Sequence, residues 1–300
     1  MLDIELLLKL LSIEATPGDE DRMAAWLVDF IPGYAPEATL LQRIGNTVLA
    51  QCGQPRTAVF AHLDTVGFTQ GYDNRLIPAG SPQATPGVRL RSTQPQGVLR
   101  GQVAAGTSRR GPLFVDGTGF AGARWVYDTT PQLGETYLRA AYLDNRMGVL
   151  TALQLLREKK NVLVAFTAAE EVSGRGALEA AHWICAHTPI RQALIADVTW
   201  ATAHVVQGKG PAVSMRDAYL PRKVFFDRVA GLAQKSGLPF QIEIEEEGSS
   251  DGGALERSGL EMDWLFVGAP ETGYHSAVET LRREDAENML RLYLHLTDLL

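Results

Sequence analysis

Residues 162–169, Val-Leu-Val-Ala-Phe-Thr-Ala-Ala, form an apolar run of strand length that ends directly in Glu170-Glu171 and the turn Val172-Ser173-Gly174-Arg175-Gly176. A short apolar run without alternation, bounded by turn residues, is the pattern of a strand buried on both faces. Such a strand needs neighbours on each side and helices above and below. The surrounding sequence supplies them. Residues 57–61 are strand-like, and after Asn145 the apolar positions Val149, Leu150, Leu153 and Leu156 have helical spacing. Residues 177–186 then read as a helix and 193–196 as another strand.

The flanks continue this order. An amphipathic helix occupies the first eleven residues. A second starts at Asp19 or Glu20 and is expected to end at Pro32-Gly33, before a strand at 47–52. Farther on, Pro221 suits the first turn of a helix ending before Gly237. Residues 240–246 alternate as a strand, 264–267 form a short buried one, and 284–300 close the chain as an amphipathic helix. Alternating strand and helix predict an α/β fold with a mostly parallel sheet flanked by helices on both faces.

Between residues 68 and 138 the texture changes to frequent Gly and Pro with short β-like stretches, which predicts an inserted small β-domain. It holds seven Arg, no Lys and four acids, so it carries +3 while the rest of the chain carries −10 of the total −7. Residues 1–67 and 139–300 are then the catalytic domain, and 68–138 an element for oligomerisation or substrate access. A solvated sheet edge and a dedicated binding surface both account for the arginines.

The net charge of −7 and pI near 5.4 exclude a general nucleic-acid binder, which needs a basic footprint. Cys52 and Cys185 belong to no Cys/His cluster, so both read as ordinary semi-buried thiols. The N-terminus lacks a basic start and a cleavage site, and no apolar stretch approaches the roughly 20 residues a membrane span requires. A cytoplasmic protein without membrane or nucleic-acid partners is expected. Gly117 to Gly122 matches the dinucleotide pattern GxGxxG, but the following residues read as a strand where that motif requires a helix.

The chemistry lies at the predicted strand ends. His62-Leu63-Asp64 follows the strand at 57–61, with Asp64 placed to receive a hydrogen bond from the imidazole or to lie behind it. Asp144 opens a helix, Asp197 follows a strand, and His275 comes after the strand at 264–267 and a Gly-Ala-Pro turn. In an open parallel sheet such carboxyl ends line one crevice. Two histidines and three carboxylates, His62, His275, Asp144, Glu171 and Asp197, give two metal ions three ligands each if Asp144 bridges. That leaves an open position for water. Glu170 remains unligated and serves as general base.

These residues also carry a resemblance. Gly45-Asn46, His62-Leu63-Asp64, Leu143-Asp144-Asn145-Arg146, Glu170-Glu171-Val172 with Gly174-Arg175-Gly176-Ala177, Ala196-Asp197-Val198-Thr199, Gly208-Lys209-Gly210-Pro211, Asp251-Gly252-Gly253 and Tyr274-His275-Ser276 occur in order along the chain. In this the chain resembles the tetrahedral or glutamyl aminopeptidase family of co-catalytic dizinc metallopeptidases. The resemblance implies removal of N-terminal residues from peptides with two divalent ions, zinc or else cobalt or manganese, and a homo-oligomer built through the inserted domain. The insert is shorter and richer in Gly, Pro and Arg than is usual there, and Asn145 stands where many relatives carry a second acid. The loop 248–253 either shapes the substrate pocket or is a plain turn before a helix. Two rival functions stand beside aminopeptidase action: metal-dependent deacylation of N-acylated amino acids, and a non-catalytic assembly protein that keeps the fold.

Overall fold

The computed structural model describes residues 1–105, 113–117, 119–158 and 160–300. Eleven strands among them form one sheet. Its centre runs in the order Val162–Thr167, Ala58–His62, Gln192–Trp200, Asp263–Thr272, and these four strands are parallel. Antiparallel strands extend both edges: Thr47–Cys52 and Thr39–Ile44 beyond Val162–Thr167, and Glu279–Arg282, Tyr137–Ala140 and Gln132–Leu133 beyond Asp263–Thr272. Ala212–Arg216 and Gln241–Ile244 form a side branch of the same sheet.

The two-residue period of a strand sorts the core into two layers. Val59, Ala61, Val164, Phe166, Leu194 and Ala196 face one side, where the helices Ile4–Leu11, Asp21–Tyr34, Leu143–Arg157, Lys223–Lys235 and Arg283–Leu299 cover them. Ala58, Phe60, Leu163, Ala165, Ala193 and Ile195 face the other, under Arg175–His187 and Asp251–Arg257. Every residue of Val162–Thr167 is therefore buried, as its unbroken apolar sequence predicts.

Several boundaries differ from expectation for local reasons. The strand Thr39–Ile44 is absent from the sequence reading because its residues are half-buried or exposed and do not alternate. It joins Thr47–Cys52 through Gly45-Asn46, with Gly45 at φ 57° as a tight hairpin requires. The helix from Asp21 runs through Pro32 to Tyr34, since the Ala35 N–H still reaches the Ile31 carbonyl at 2.8 Å. The strand expected to stop at 267 continues through Gly268-Ala269-Pro270, so that segment is strand and not turn. Pro270 is tolerated there because it falls between the two antiparallel partners of its strand, which register at Val267–Gly268 and Glu271–Thr272. Its carbonyl accepts from the Gln207 side-chain amide at 3.1 Å.

A second, six-stranded antiparallel sheet is built from Gly67–Gln70, Leu76–Ala79, Arg89–Gln94, Gly97–Ala105, Leu113–Gly117 and Arg124–Tyr127. Phe68, Leu90, Val103, Val115 and Trp125 are buried beneath it. The chain rejoins the main sheet at Gln132, so the last residues of the expected insert belong to that sheet. Arg109 and Arg110, and Thr118 of the GxGxxG match, lie outside the described residues. Cys52 is buried and Cys185 is half-buried, which replaces the expectation of two semi-buried thiols. No helix of the described residues is long and apolar enough to cross a membrane.

Candidate metal centre and active site

Strand register sets the level of the site. Thr167 pairs with His62 and Ile195 with Phe60, so His62, the turn after Thr167 and Asp197 reach the same end of the sheet together. Asp197 lies inside its strand, which extends three residues past it to Trp200, and not at the strand's end as the sequence implied.

Asp144 comes from the other direction, in the first turn of the helix Leu143–Arg157, where its own backbone and that of Asn145 are not yet helical. The Asn145 amide ties this turn down. Its Nδ2 donates to the Ala196 carbonyl at 2.9 Å, and its Oδ1 accepts from Gly148 N–H at 2.8 Å. Arg146, 1% exposed, donates to the carbonyls of Leu63 at 2.6 Å, Ile13 at 3.0 Å and Leu10 at 3.2 Å, fastening the segment after His62 to the N-terminal helix.

The five expected ligand residues converge in two groups that share one member. His62 Nε2 lies 3.1 Å from Asp144 Oδ1 and 3.4 Å from Asp197 Oδ2. His275 Nε2 lies 3.3 Å from Asp144 Oδ2 and 3.3 Å from Glu171 Oε2. Within each group one ligand atom per residue falls inside 4.8 Å of the others, a spacing that could hold a cation. Each Asp144 oxygen thus serves a different histidine.

The two imidazoles are oriented from behind. His62 Nδ1 meets the Asp64 carbonyl oxygen at 3.1 Å, while the Asp64 carboxylate stands 3.6 Å away. That carboxylate is engaged elsewhere, with Oδ1 accepting the Glu170 N–H at 2.9 Å and Oδ2 the Glu171 N–H at 3.0 Å. Asp64 therefore touches the histidine chiefly through its backbone and the glutamates through its side chain, a division the sequence did not reveal. His275, at φ 55°, presents Nδ1 to Ser81 Oγ at 2.8 Å.

The Glu170-Glu171 turn is held tightly as well. Ala169 adopts φ 59°, and its N–H is taken by Glu20 Oε1 at 3.2 Å, while Asn46 Nδ2 holds Glu20 Oε2 at 2.9 Å. Gly176 packs against this turn so closely that a Cβ would come 2.3 Å from Ala168 N and 2.4 Å from its carbonyl oxygen.

Charge follows from geometry. Burial opposes ionisation of His62, but Asp197, Asp144 and Asp64 outweigh it and raise its pKa well above the usual value. Burial likewise works against Asp144, yet its hydrogen bonds to both histidines win and hold its carboxyl well below the ordinary range. Burial, reinforced by neighbouring acids, raises Glu170 and Glu171 well above theirs. Burial also lifts Asp197 to about 6 despite His62 beside it.

The site opens into a cavity of about 390 Å³ that His62, Asp144, Glu170, Glu171, Asp197 and His275 line at its floor. Trp200, Phe266, Asp217, Glu243 and the loop Gly248 to Ser250 form its walls, so this loop does border the pocket. Among the buried acids near the site, Glu271 and Glu279 went unnoted in the sequence, and Asp251 stood in a noted motif without a role. Glu279 lies close behind the Tyr274-His275-Ser276 motif, which was the available signal; Glu271 had none.

Comparison with known proteins decides the family. Residues 121–292, more than half of the chain, match the M42 glutamyl aminopeptidase family. The chain belongs to this family. It is also 30% identical over 175 residues to a protein of Acetivibrio thermocellus provisionally described as an aminopeptidase, and the match spans 53% of this chain and 50% of that relative's length. Among solved structures, an aminopeptidase from the archaeon Desulfurococcus kamchatkensis is 22% identical, with a TM-score of 0.87 over 98% of this chain and 94% of that one. The TET1 peptidase of Pyrococcus horikoshii, which can assemble into a tetrahedron or a large octahedral shell, is 22% identical with a TM-score of 0.84 over 99% of each chain. At such identity these structures establish the α/β M42 fold.

Proposed function

We propose that this M42 protein is a metal-dependent aminopeptidase that hydrolyses the bond after the N-terminal residue of a peptide. The observation that carries the proposal is the sharing of Asp144 between two histidine–carboxylate groups, with Glu170 beside them and outside both. The donor set fits a pair of divalent ions. It contains only imidazole nitrogen and carboxylate oxygen, which suits zinc and also cobalt or manganese. Glu171 Oε1 is buried without a hydrogen-bond partner, a cost that a cation at that point removes.

In this reading His62, Asp144 and Asp197 would hold one ion, and Asp144, Glu171 and His275 the other. When bound, the ions supply Lewis acidity, which lowers the pKa of water in the cleft and polarises the scissile carbonyl. Glu170 does the proton work. Its carboxylate lines the cavity outside both groups, so it takes a proton from the attacking water and returns it to the leaving amine. Asp64 is a positioning residue that fixes the backbone of this base. The walls between Trp200 and Phe266 receive the N-terminal side chain.

The six-stranded sheet is assigned to assembly or substrate access, within an inserted domain at 68–138, and the protein to a homo-oligomer. The assembling Pyrococcus relative and the split of +3 against −10 support this assignment. The function is tested with chelator-stripped protein given zinc, cobalt or manganese and offered aminoacyl amides, free peptides and N-acyl amino acids. Release of N-terminal residues from unblocked substrates alone is expected, and cleavage of N-acyl amino acids alone refutes the assignment.

A further inference from the structure

Glu279 opens the strand Glu279–Arg282, is 1% exposed, and has no part in the reaction described above. Its carboxylate faces backbone donors from two ligand segments. Oε2 accepts the Asp144 N–H at 3.1 Å, and further backbone hydrogen bonds come from Leu143 and His275. Register brings it there, because Glu279 pairs with Ala140, a few residues before Asp144.

Each of those donors needs a partner. Leu143 and Asp144 open the helix Leu143–Arg157, whose first N–H groups have none within the helix. Tyr142, just before them, supplies no side-chain cap. Glu279 supplies the partner for this turn from across the sheet, where Asp144 and Asn145 are not yet helical, while Asn145 Oδ1 caps the regular helix at the Gly148 N–H. His275 sits at φ 55°, a strained conformation for a residue with a side chain that persists only when its surroundings over-determine it. Its carbonyl oxygen is held by Tyr127 Oη at 3.0 Å and by Gln83 N–H at 2.8 Å. Glu279 holds its N–H.

We infer that Glu279 is a positioning residue that fixes Asp144 relative to His275 and thereby sets how tightly the second ion binds. This rests on the metal assignment proposed above. Glu271 provides an internal contrast. It is equally buried on the adjacent strand, but both its carboxylate oxygens lack partners among the described residues, so it holds neither ligand backbone.

The test is calorimetric titration of chelator-stripped wild type, Glu279→Gln and Glu271→Gln with Zn²⁺, alongside the melting temperature of each metal-free protein. In Glu279→Gln the weaker of the two dissociation constants should rise about 10–100-fold, the range seen when a group orienting a metal ligand is removed. The tighter one should change less, and Glu271→Gln should leave both as in wild type. A purely structural role would lower the metal-free melting temperature and leave the ratio of the two constants unchanged, which would overturn the inference. So would a folded Glu279→Gln with both constants within twofold of wild type. If that variant fails to fold, Glu279→Asp, which keeps the charge but withdraws the carboxylate, faces the same criteria. A wild type that binds no zinc would overturn the metal assignment itself, and is distinguishable because it appears before any variant is compared.

Discussion

Asp64 holds Glu170 by its backbone: Oδ1 accepts the Glu170 N–H at 2.9 Å, leaving the Glu170 carboxylate free at the cavity floor. A base fixed in this way can be neutralised without disturbing the ligands. Glu170→Gln should therefore lower kcat by about 10²–10⁴-fold, the usual contribution of a general base. Its metal content should equal that of wild type. Steady-state kinetics with metal analysis of the same preparation checks both, and a kcat within threefold of wild type would remove Glu170 from the mechanism.

Asp144 is the one residue common to both groups. Asp144→Asn keeps the shape and removes the charge, so it should reduce occupancy of both sites together, whereas Asp197→Asn should deplete one. Metal-to-protein ratios after dialysis against a weak chelator separate these outcomes. Loss of a single ion from Asp144→Asn would show that it does not bridge.

The buried acids give the metal-free protein a definite pH dependence. Burial, against the pull of His62, lifts Asp251 from its ordinary 3.8 to about 7, and it lifts Asp197 to about 6. A carboxyl with a raised native pKa binds more protons folded than unfolded. Its contribution is fully present below 3.8 and is lost as pH rises through about 6 and 7. His62, also raised, has the same sign, with its contribution present below 6.5 and lost as pH passes its higher folded value. Asp144, held low, has the opposite sign, and its contribution is lost only as pH falls below 3.8. The melting temperature of metal-free protein should thus fall between about pH 5 and pH 8, and Asp251→Asn should flatten that slope. Metal affinity should rise over the same window, because binding requires ionised carboxylates and neutral imidazoles. A melting temperature higher at pH 8 than at pH 5 would contradict this account.

Gly176 has no room for a side chain. A Cβ there meets backbone atoms of Ala168 and Thr47 Oγ1 at 2.3–2.6 Å. Gly176→Ala should cost about 1–3 kcal/mol, as overpacking does, and should displace the turn that carries both glutamates. Denaturant unfolding together with kcat measures both effects; an unchanged midpoint would show that the turn yields at no cost.

The sheet's buried centre was legible because burial on both faces leaves an unbroken apolar string, as in Val162–Thr167. The edges were less so. Thr39–Ile44 has no alternation to betray it, although the Gly45-Asn46 pair behind it is a hairpin signal. Pro270 looked like a turn because the gap that tolerates it is set by strands distant in sequence. Of the site, the five residues that converge were legible from their places beside apolar runs. What Asp64 grips, and that Glu279 and Asp251 are buried, depends on register and packing between distant segments. An acid in a sequence reads as surface until its neighbours are placed.

The most direct test of the central claim follows release of the N-terminal residue from an unblocked peptide as zinc is added in known equivalents to chelator-stripped protein. The two groups sharing Asp144 predict no turnover without metal, activity that rises and saturates at two equivalents, and none on the N-acetylated peptide. Full activity without added metal, or saturation at a single equivalent, would contradict it.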